Sequence, residues 1–118
     1  MFIPPVVPEL PLPKLPGLPT GPKFELGQVV ATPAAIELLS QCAESALDII
    51  CRHACGDWGE LDACDMRANT EALVSGARLM SAYTLLAAGS PKKVWVITDA
   101  TGDDGRRLAT TLLLPGDY

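Results

Sequence analysis

Apolar and polar positions fall into two regimes along this chain. Between residues 32 and 75 apolar side chains recur every three to four positions, the spacing of one helix face, whereas after Gly76 they alternate or run in short blocks, as strands do. Thr32 is a good N-cap and Pro33 suits the first helical position, with Ile36, Leu38 and Leu39 supplying an apolar face. Ser45, with Asp48 three residues on, has the character of a capping box and precedes Leu47, Ile50 and Ala54 at helical spacing. The pattern predicts helices over 33–40 and 46–55 with a bend near Gln41 to Glu44, one continuous helix being the alternative. Gly56 ends the second helix; Asp62 or Asp65 caps a third that runs to about Ser75, where Gly76 stops it.

The segments RLMSAYTLL (78–86), KKVWVITDA (92–100) and RRLATTLLL (106–114) are dense in apolar and β-branched residues and are separated by the turn-rich AAGSP and TGDDG. In the last of them Leu108, Thr110, Leu112 and Leu114 share one face, and Arg107, Ala109, Thr111 and Leu113 the other. Three strands joined by hairpins are antiparallel. Upstream, FELGQVVAT reads as a short strand or extended lead-in interrupted at Gly27. The expected fold is α+β: two to three short helices packed on one face of a three- to four-stranded antiparallel sheet.

Prolines at 4, 5, 8, 11, 13, 16, 19 and 22 exclude helix and central strand from the opening segment, because each fixes φ and removes a backbone donor. Residues 1–22 are therefore expected to form an extended, polyproline-II-like arm ahead of a single α+β domain over 23–118. Leu10, Leu12, Leu15 and Leu18 between the prolines suit an aromatic-lined groove on a partner, or a site on the chain's own domain. The arm lacks the basic region and unbroken apolar stretch of a signal peptide, and no other segment is apolar enough to cross a membrane. A cytoplasmic protein without membrane contact is expected, with its four cysteines reduced. The 14 acidic against 9 basic side chains give a net charge of −5, which leaves no footprint for phosphate backbones. Direct nucleic-acid binding is not expected; a protein partner with a basic surface is compatible.

Candidate chemistry concentrates in CRHACGDWG (51–59), followed by Cys64. Cys51 and Cys55 lie four residues apart on one helix face, while His53, two residues from each, points about 200° away, so the three cannot hold one ion while the helix persists. No metal site and no cofactor are expected. A redox-sensing thiol would need a lowered pKa that nothing in the sequence supplies. His53 could act as a general base oriented by Asp57, Asp62 or Glu60, but Ser45, Ser75 and Ser81 have no distinctive nucleophile context. The carboxylate groups in GELDACD and TDATGDDG sit where helix starts and tight turns favour Asp. Trp58 either plugs a helix–sheet junction or marks a contact surface; Trp95, in VWVI, reads as core or sheet surface. Motifs for nucleotide phosphates, for zinc proteases and for serine hydrolases are missing.

LGQVVATP (26–33), RHxxGDWG (52–59), Asn69 with Ala72-Leu73, GxRLMSAY (76–83), VWVITDA (94–100) and TTLLLPGDY (110–118) together resemble a family of small plasmid and integrative-element proteins of proteobacteria, uncharacterised and sometimes mislabelled as a type I restriction subunit. The resemblance spans nearly everything after residue 23. The family pattern includes Arg52, His53, Gly56, Asp57, Trp58 and Gly59 but not the cysteines, and the proline-rich arm and longer TGDDG turn depart from it. What it implies is a non-enzymatic interaction protein of a mobile element, with an anti-defence role against a CRISPR or restriction complex. The binding candidates are Arg52, His53, Asp57 and Trp58, with Asp99, Asp103 and Asp104 of the acidic hairpin. Two alternatives stand beside it: a small hydrolase or nuclease using His53 with Asp57 or Asp62, and a self-associating structural protein, a homodimer joined at a sheet edge in 106–114 or 24–31.

Overall fold

The sequence folds as the helix and strand patterns require, in a computed structural model that describes residues 22–118. The predicted arm, over residues 1–21, lies outside the described residues. The order of elements is β1 (Gln28–Ala31), α1 (Pro33–Cys42), α2 (Ala46–Ala54), α3 (Ala63–Ser75), β2 (Leu79–Ala87), β3 (Ser90–Thr98), β4 (Ala109–Leu113) and a 3-10 turn (Pro115–Asp117). The fold is α+β.

Local signals place the helix ends. Thr32 Oγ1 accepts the Ala35 N–H at 3.2 Å, and Asp62 Oδ1 accepts the Asp65 N–H at 2.8 Å, which satisfies donors that the first turn leaves unpaired. α1 and α2 are separate helices; Ala43 breaks the first by entering the left-handed region at φ 54°. Gly76 ends α3 at φ 85°, packed so tightly that an added Cβ would lie 2.3 Å from Thr101 Oγ1. Between β2 and β3 the turn residues Ala88 (φ 52°) and Gly89 (φ 79°) are both left-handed, the geometry of a two-residue hairpin whose twist matches its strands.

The strands form one sheet in the order β1-β4-β3-β2. β2 and β3 pair antiparallel from Leu79↔Thr98 to Ala87↔Ser90, and β3 and β4 antiparallel from Trp95↔Leu113 to Thr98↔Thr110. β1 corrects the antiparallel expectation, because it runs parallel to β4, from Gln28↔Ala109 to Ala31↔Leu112. That pairing joins the first and last of the described strands across all three helices and the first hairpin, a crossover that no local alternation encodes. It also places β4 inside the sheet, so the edges are β1 and β2, not the 106–114 segment. The last strand is shorter than expected: Arg107 forms only an isolated bridge with Thr101, and Leu108 is 72% exposed.

One face of the sheet carries Val29, Ala31, Leu79, Ser81, Tyr83, Leu85, Ala87, Val94, Val96, Thr98, Thr110 and Leu112, all buried. α1 and α2 cover it with Ala35, Leu38, Leu39, Ile49 and Ile50. A second cluster joins Trp58, Ala72 and Leu79 with Phe24, Leu61 and Leu73. α3 belongs to the outer side of β2, burying only Asn69 and Ala72. The Asn69 amide donates to the Met80 carbonyl at 2.6 Å and accepts the Met80 N–H at 3.1 Å, standing in for a neighbouring strand.

Candidate functional site

The RHxxGDWG segment spans the last turn of α2 and the loop that leads to α3, and its residues divide between interior and surface. His53 lies four residues after Ile49 and three after Ile50, on the buried face of α2, and is fully buried. Its Nδ1 sits 2.5 Å from Ser81 Oγ and its Nε2 2.8 Å from Thr98 Oγ1. Thr98 Oγ1 lies 2.7 Å from Thr110 Oγ1, whose hydroxyl donates to the Leu26 carbonyl at 2.8 Å. The carbonyl at the end can only accept, and that orders every link. Thr110 gives its proton to Leu26, so it accepts from Thr98; Thr98 then accepts from His53 Nε2–H; Nδ1, left with a lone pair, accepts from Ser81. Burial, with the nearby Arg107 charge, pushes the imidazole down to about 3, so the ring is neutral.

A serine hydroxyl donating to a neutral imidazole is also the first half of a nucleophile–base pair. Here both side chains are fully buried, and neither Asp57 nor Asp62 touches the ring. A groove of 470 Å³ between α1 and the start of β3 and another of 390 Å³ beside the end of α3 do not reach Ser81 or His53.

Trp58 is buried as well. Its ring stacks on Phe24 at 6.1 Å between centroids and meets the edge of His53 at 5.8 Å, while Phe24 lies edge-on to His53 at 5.1 Å. The aromatic ring plugs the helix–sheet junction. The loop carrying it runs along β2: the Trp58 carbonyl accepts from Ala82 N–H at 3.1 Å and Glu60 N–H donates to the Ala82 carbonyl at 2.7 Å. Gly59 permits this approach, since a Cβ there would fall 2.0 Å from the Ala82 carbonyl oxygen.

Arg52 and Asp57 are the exposed members. Arg52 Nε donates to Asp57 Oδ2 at 2.8 Å, with both side chains about half exposed, and its guanidinium lies over the Tyr83 ring at 4.4 Å. Asp57 Oδ1 accepts the Gly59 N–H at 3.1 Å, and its carbonyl accepts the Tyr83 hydroxyl at 2.5 Å. Burial works to raise the Asp57 carboxyl, but the Arg52 hydrogen bond, the Gly59 N–H and the Arg52 charge together bring it below its ordinary value. The Asp57 bond raises Arg52 in turn, and burial holds the Tyr83 phenol up at about 12. Next to this pair Glu60 meets Lys93 at 3.1 Å.

Asp99, Asp103 and Asp104 are exposed in the hairpin that reaches the far end of α3, where Thr101 N–H donates to the Gly76 carbonyl. α3, 13 residues long, separates them from the Arg52–Asp57 pair by about 20 Å of helix. Asp62 caps α3 and points its carboxylate into that cap. The cysteines remain unpaired, and no cluster of three metal-ligating side chains occurs among the described residues. Burial, reinforced by Cys55 and Asp48, raises the Cys51 thiol, the opposite of what a reactive thiolate needs.

Sequence reasoning did not single out Arg107. Only 5% exposed, it donates from Nη1 to the Ala77 and Asp99 carbonyls at 2.7 and 2.9 Å and from Nη2 to Ala72 at 3.1 Å, fastening the end of α3 to the loop before β4. Asn69 entered the sequence reading only as part of the family resemblance, with no role given to it, although a mid-helix asparagine is a signal that its amide is employed elsewhere. Compared with known proteins, the chain matches no protein family, no curated relative and no solved structure.

Proposed function

We propose that this chain is a small, acidic, non-enzymatic protein-interaction module of a mobile genetic element, which binds its partner through the surface around Arg52 and Asp57. One observation carries the reading: RHxxGDWG uses His53 and Trp58 as a buried platform and holds Arg52 and Asp57 above it as a fixed, half-exposed ion pair. Anchored on Tyr83 and Gly59, that pair is already ordered before a partner arrives, so little side-chain entropy is lost on docking. The partner class, a defence complex of the CRISPR or restriction kind, comes from the family resemblance and from the net charge of −5, which suits a basic protein surface. Asp99, Asp103 and Asp104 offer a second acidic contact at the other end of α3. The hydrolase reading has less support, because both His53 nitrogens are engaged by Ser81 and Thr98 in the interior.

The test is a capture and inhibition assay with purified defence complexes, comparing the natural chain with an Arg52→Ala/Asp57→Ala double variant. Capture and inhibition are expected to fall at least about tenfold while the melting temperature drops by only a few degrees, since the exposed pair, its stacking on Tyr83 and the Gly59 contact together contribute about 2 kcal/mol or less to folding. Equal capture by both proteins would sink the proposed surface; hydrolytic turnover lost on His53→Ala with capture intact would favour the enzyme.

A further inference from the structure

α1 and α2 cover one face of the sheet and α3 flanks β2, which leaves the other face without a helix over it. Two rows of side chains in register across the strands make up its centre: Val30, Thr111, Ile97 and Met80, then Leu113, Trp95 and Ala82. None is charged, and the buried members, Ala82, Ile97 and Leu113, belong to neither core cluster. Trp95 is half-buried and meets the Tyr118 ring edge to face at 5.9 Å, while Tyr118 is 70% exposed and receives Arg78 on its hydroxyl. Residues 1–21 carry a matching pattern in their sequence. Polyproline II repeats every three residues, so in the conformation expected of this segment Ile3, Val6, Glu9, Leu12, Leu15 and Leu18 form one ridge, and Pro4, Val7, Leu10, Pro13, Pro16 and Pro19 a second. Both ridges are apolar but for Glu9; the third turns polar from Lys14 onward, with Gly17 and Thr20.

We infer that residues 2–13 of the same chain lie across this open face and cover it. Ridge residues recur every 9.3 Å or about that, close to the roughly 9.6 Å between alternate strands and unlike the roughly 6.8 Å between successive side chains on one face of a strand, so the segment fits across the strands and not along them. Residues 14–22 span about 28 Å in the same conformation. That carries the chain round the sheet from Lys23, whose N–H donates to the Ala54 carbonyl at 2.7 Å on the helical side. Proline and leucine rest on the Trp95 and Tyr118 rings, as proline-rich segments do on aromatic-lined surfaces. Glu9, the one charged side chain among residues 1–13, reaches Arg78 at the rim, so the uncharged remainder of the segment meets the uncharged rows. The chain's own segment is favoured over a separate peptide on two grounds. Its tether holds it at an effective concentration of about millimolar, and its prolines have already given up much of the backbone freedom that docking removes. The inference is independent of the Arg52–Asp57 surface.

In nuclear Overhauser spectra of the full chain, the Trp95 and Tyr118 ring protons should show contacts to methyl and proline protons of residues 2–13, with intensities unchanged on dilution. Leu10→Asp/Leu12→Asp, which brings two carboxylates onto the apolar face, should abolish those contacts and raise at least about threefold the relaxation that a soluble gadolinium chelate imposes on the Trp95 and Val30 protons. Thr111→Lys should do the same from the sheet side, whereas Leu10→Ile/Leu12→Ile should leave both readings as they are. Absence of the contacts in the natural chain would overturn the inference, as would contacts from residues 2–13 to surfaces away from the two rows. Contacts that fade on dilution would overturn it too, by showing that a second copy supplies the segment. So would Trp95 and Val30 protons as open to the chelate in the natural chain as in Leu10→Asp/Leu12→Asp.

Discussion

Under α1 and the start of α2 the sheet presents Val29, Ala31, Val94, Val96 and Leu112 to Leu38, Leu39, Ile49 and Ile50. Two residues further along β3 and β4 the same face presents Thr98 and Thr110, and with Ser81 of β2 these meet a single imidazole. The first region is held by area: each aliphatic side chain removes its surface from water, and a swap of similar volume costs little. The second is held by valence, because its buried donors and acceptors must be matched one to one and a side chain of the right shape with the wrong polarity does not fit. That demand for matched polarity gives this small domain one arrangement of its N-terminal lead-in. Leu26, Phe24 and Glu25 are placed by Thr110, His53, Trp58 and Arg106, contacts that a purely aliphatic seam would not discriminate.

The contrast can be broken most forcefully at Arg107. Arg107→Met keeps the aliphatic stem but leaves the Ala77 and Asp99 carbonyls without their donor and the Ala72 carbonyl with the Gly76 N–H alone, and should cost about 4 kcal/mol, read as a shift in urea midpoint. Acid provides the next test. His53 folds neutral, with its value lowered from 6.5 to about 3, so the unfolded chain binds a proton that the folded chain refuses. Stability should be complete above about pH 6.5 and fall as pH drops, by about 4 kcal/mol at pH 3, in urea titrations across that range. Carboxylates such as Asp57, also lowered in the folded state, add their loss only below about pH 4.

Isosteric exchanges separate polarity from shape. Thr98→Val breaks the hydroxyl chain and Val96→Thr buries an unmatched hydroxyl two residues away, so each should cost about 2 kcal/mol although neither changes shape. Ile50→Val in the aliphatic layer, a loss of volume without polarity, should cost only about 1 kcal/mol. The smallest effect has the opposite sign. Ala88 at φ 52° is strained where asparagine or glycine is at ease, and Ala88→Asn should raise stability by about 0.5 kcal/mol in thermal melts.

Much of the fold was legible because its signals are local. Thr32-Pro33, Asp62 and Gly76 mark helix ends within a few residues, and AAGSP lies between two blocks of strand residues that can only fold back on each other. β1 was harder, since its partner stands some 80 residues away and parallel pairing leaves no trace in alternation. The candidate site was legible in outline only. Periodicity in α2 does place His53 beside Ile49 and Ile50, yet nothing nearby announces that Ser81, Thr98 and Thr110 will gather there, because each lies on a different strand whose register had to be set first. Arg107 escaped for a related reason: alternation put it on a strand, whereas it sits just before one, pointing back under α3.

The hydroxyl relay from Ser81 to Leu26 also has a direction, and direction restricts inheritance. Its interior links each have to receive one proton and pass one on, as a word in the middle of a sentence must agree with both neighbours. A valine ends the sentence, an aspartate reverses it, and a second histidine would need its own tautomer assigned. Positions 98 and 110 are therefore free to drift between threonine and serine but closed to nearly everything else, while the aliphatic residues beside them can exchange among themselves. In descendants of this chain, change at either hydroxyl position would be expected to arrive together with change at position 53.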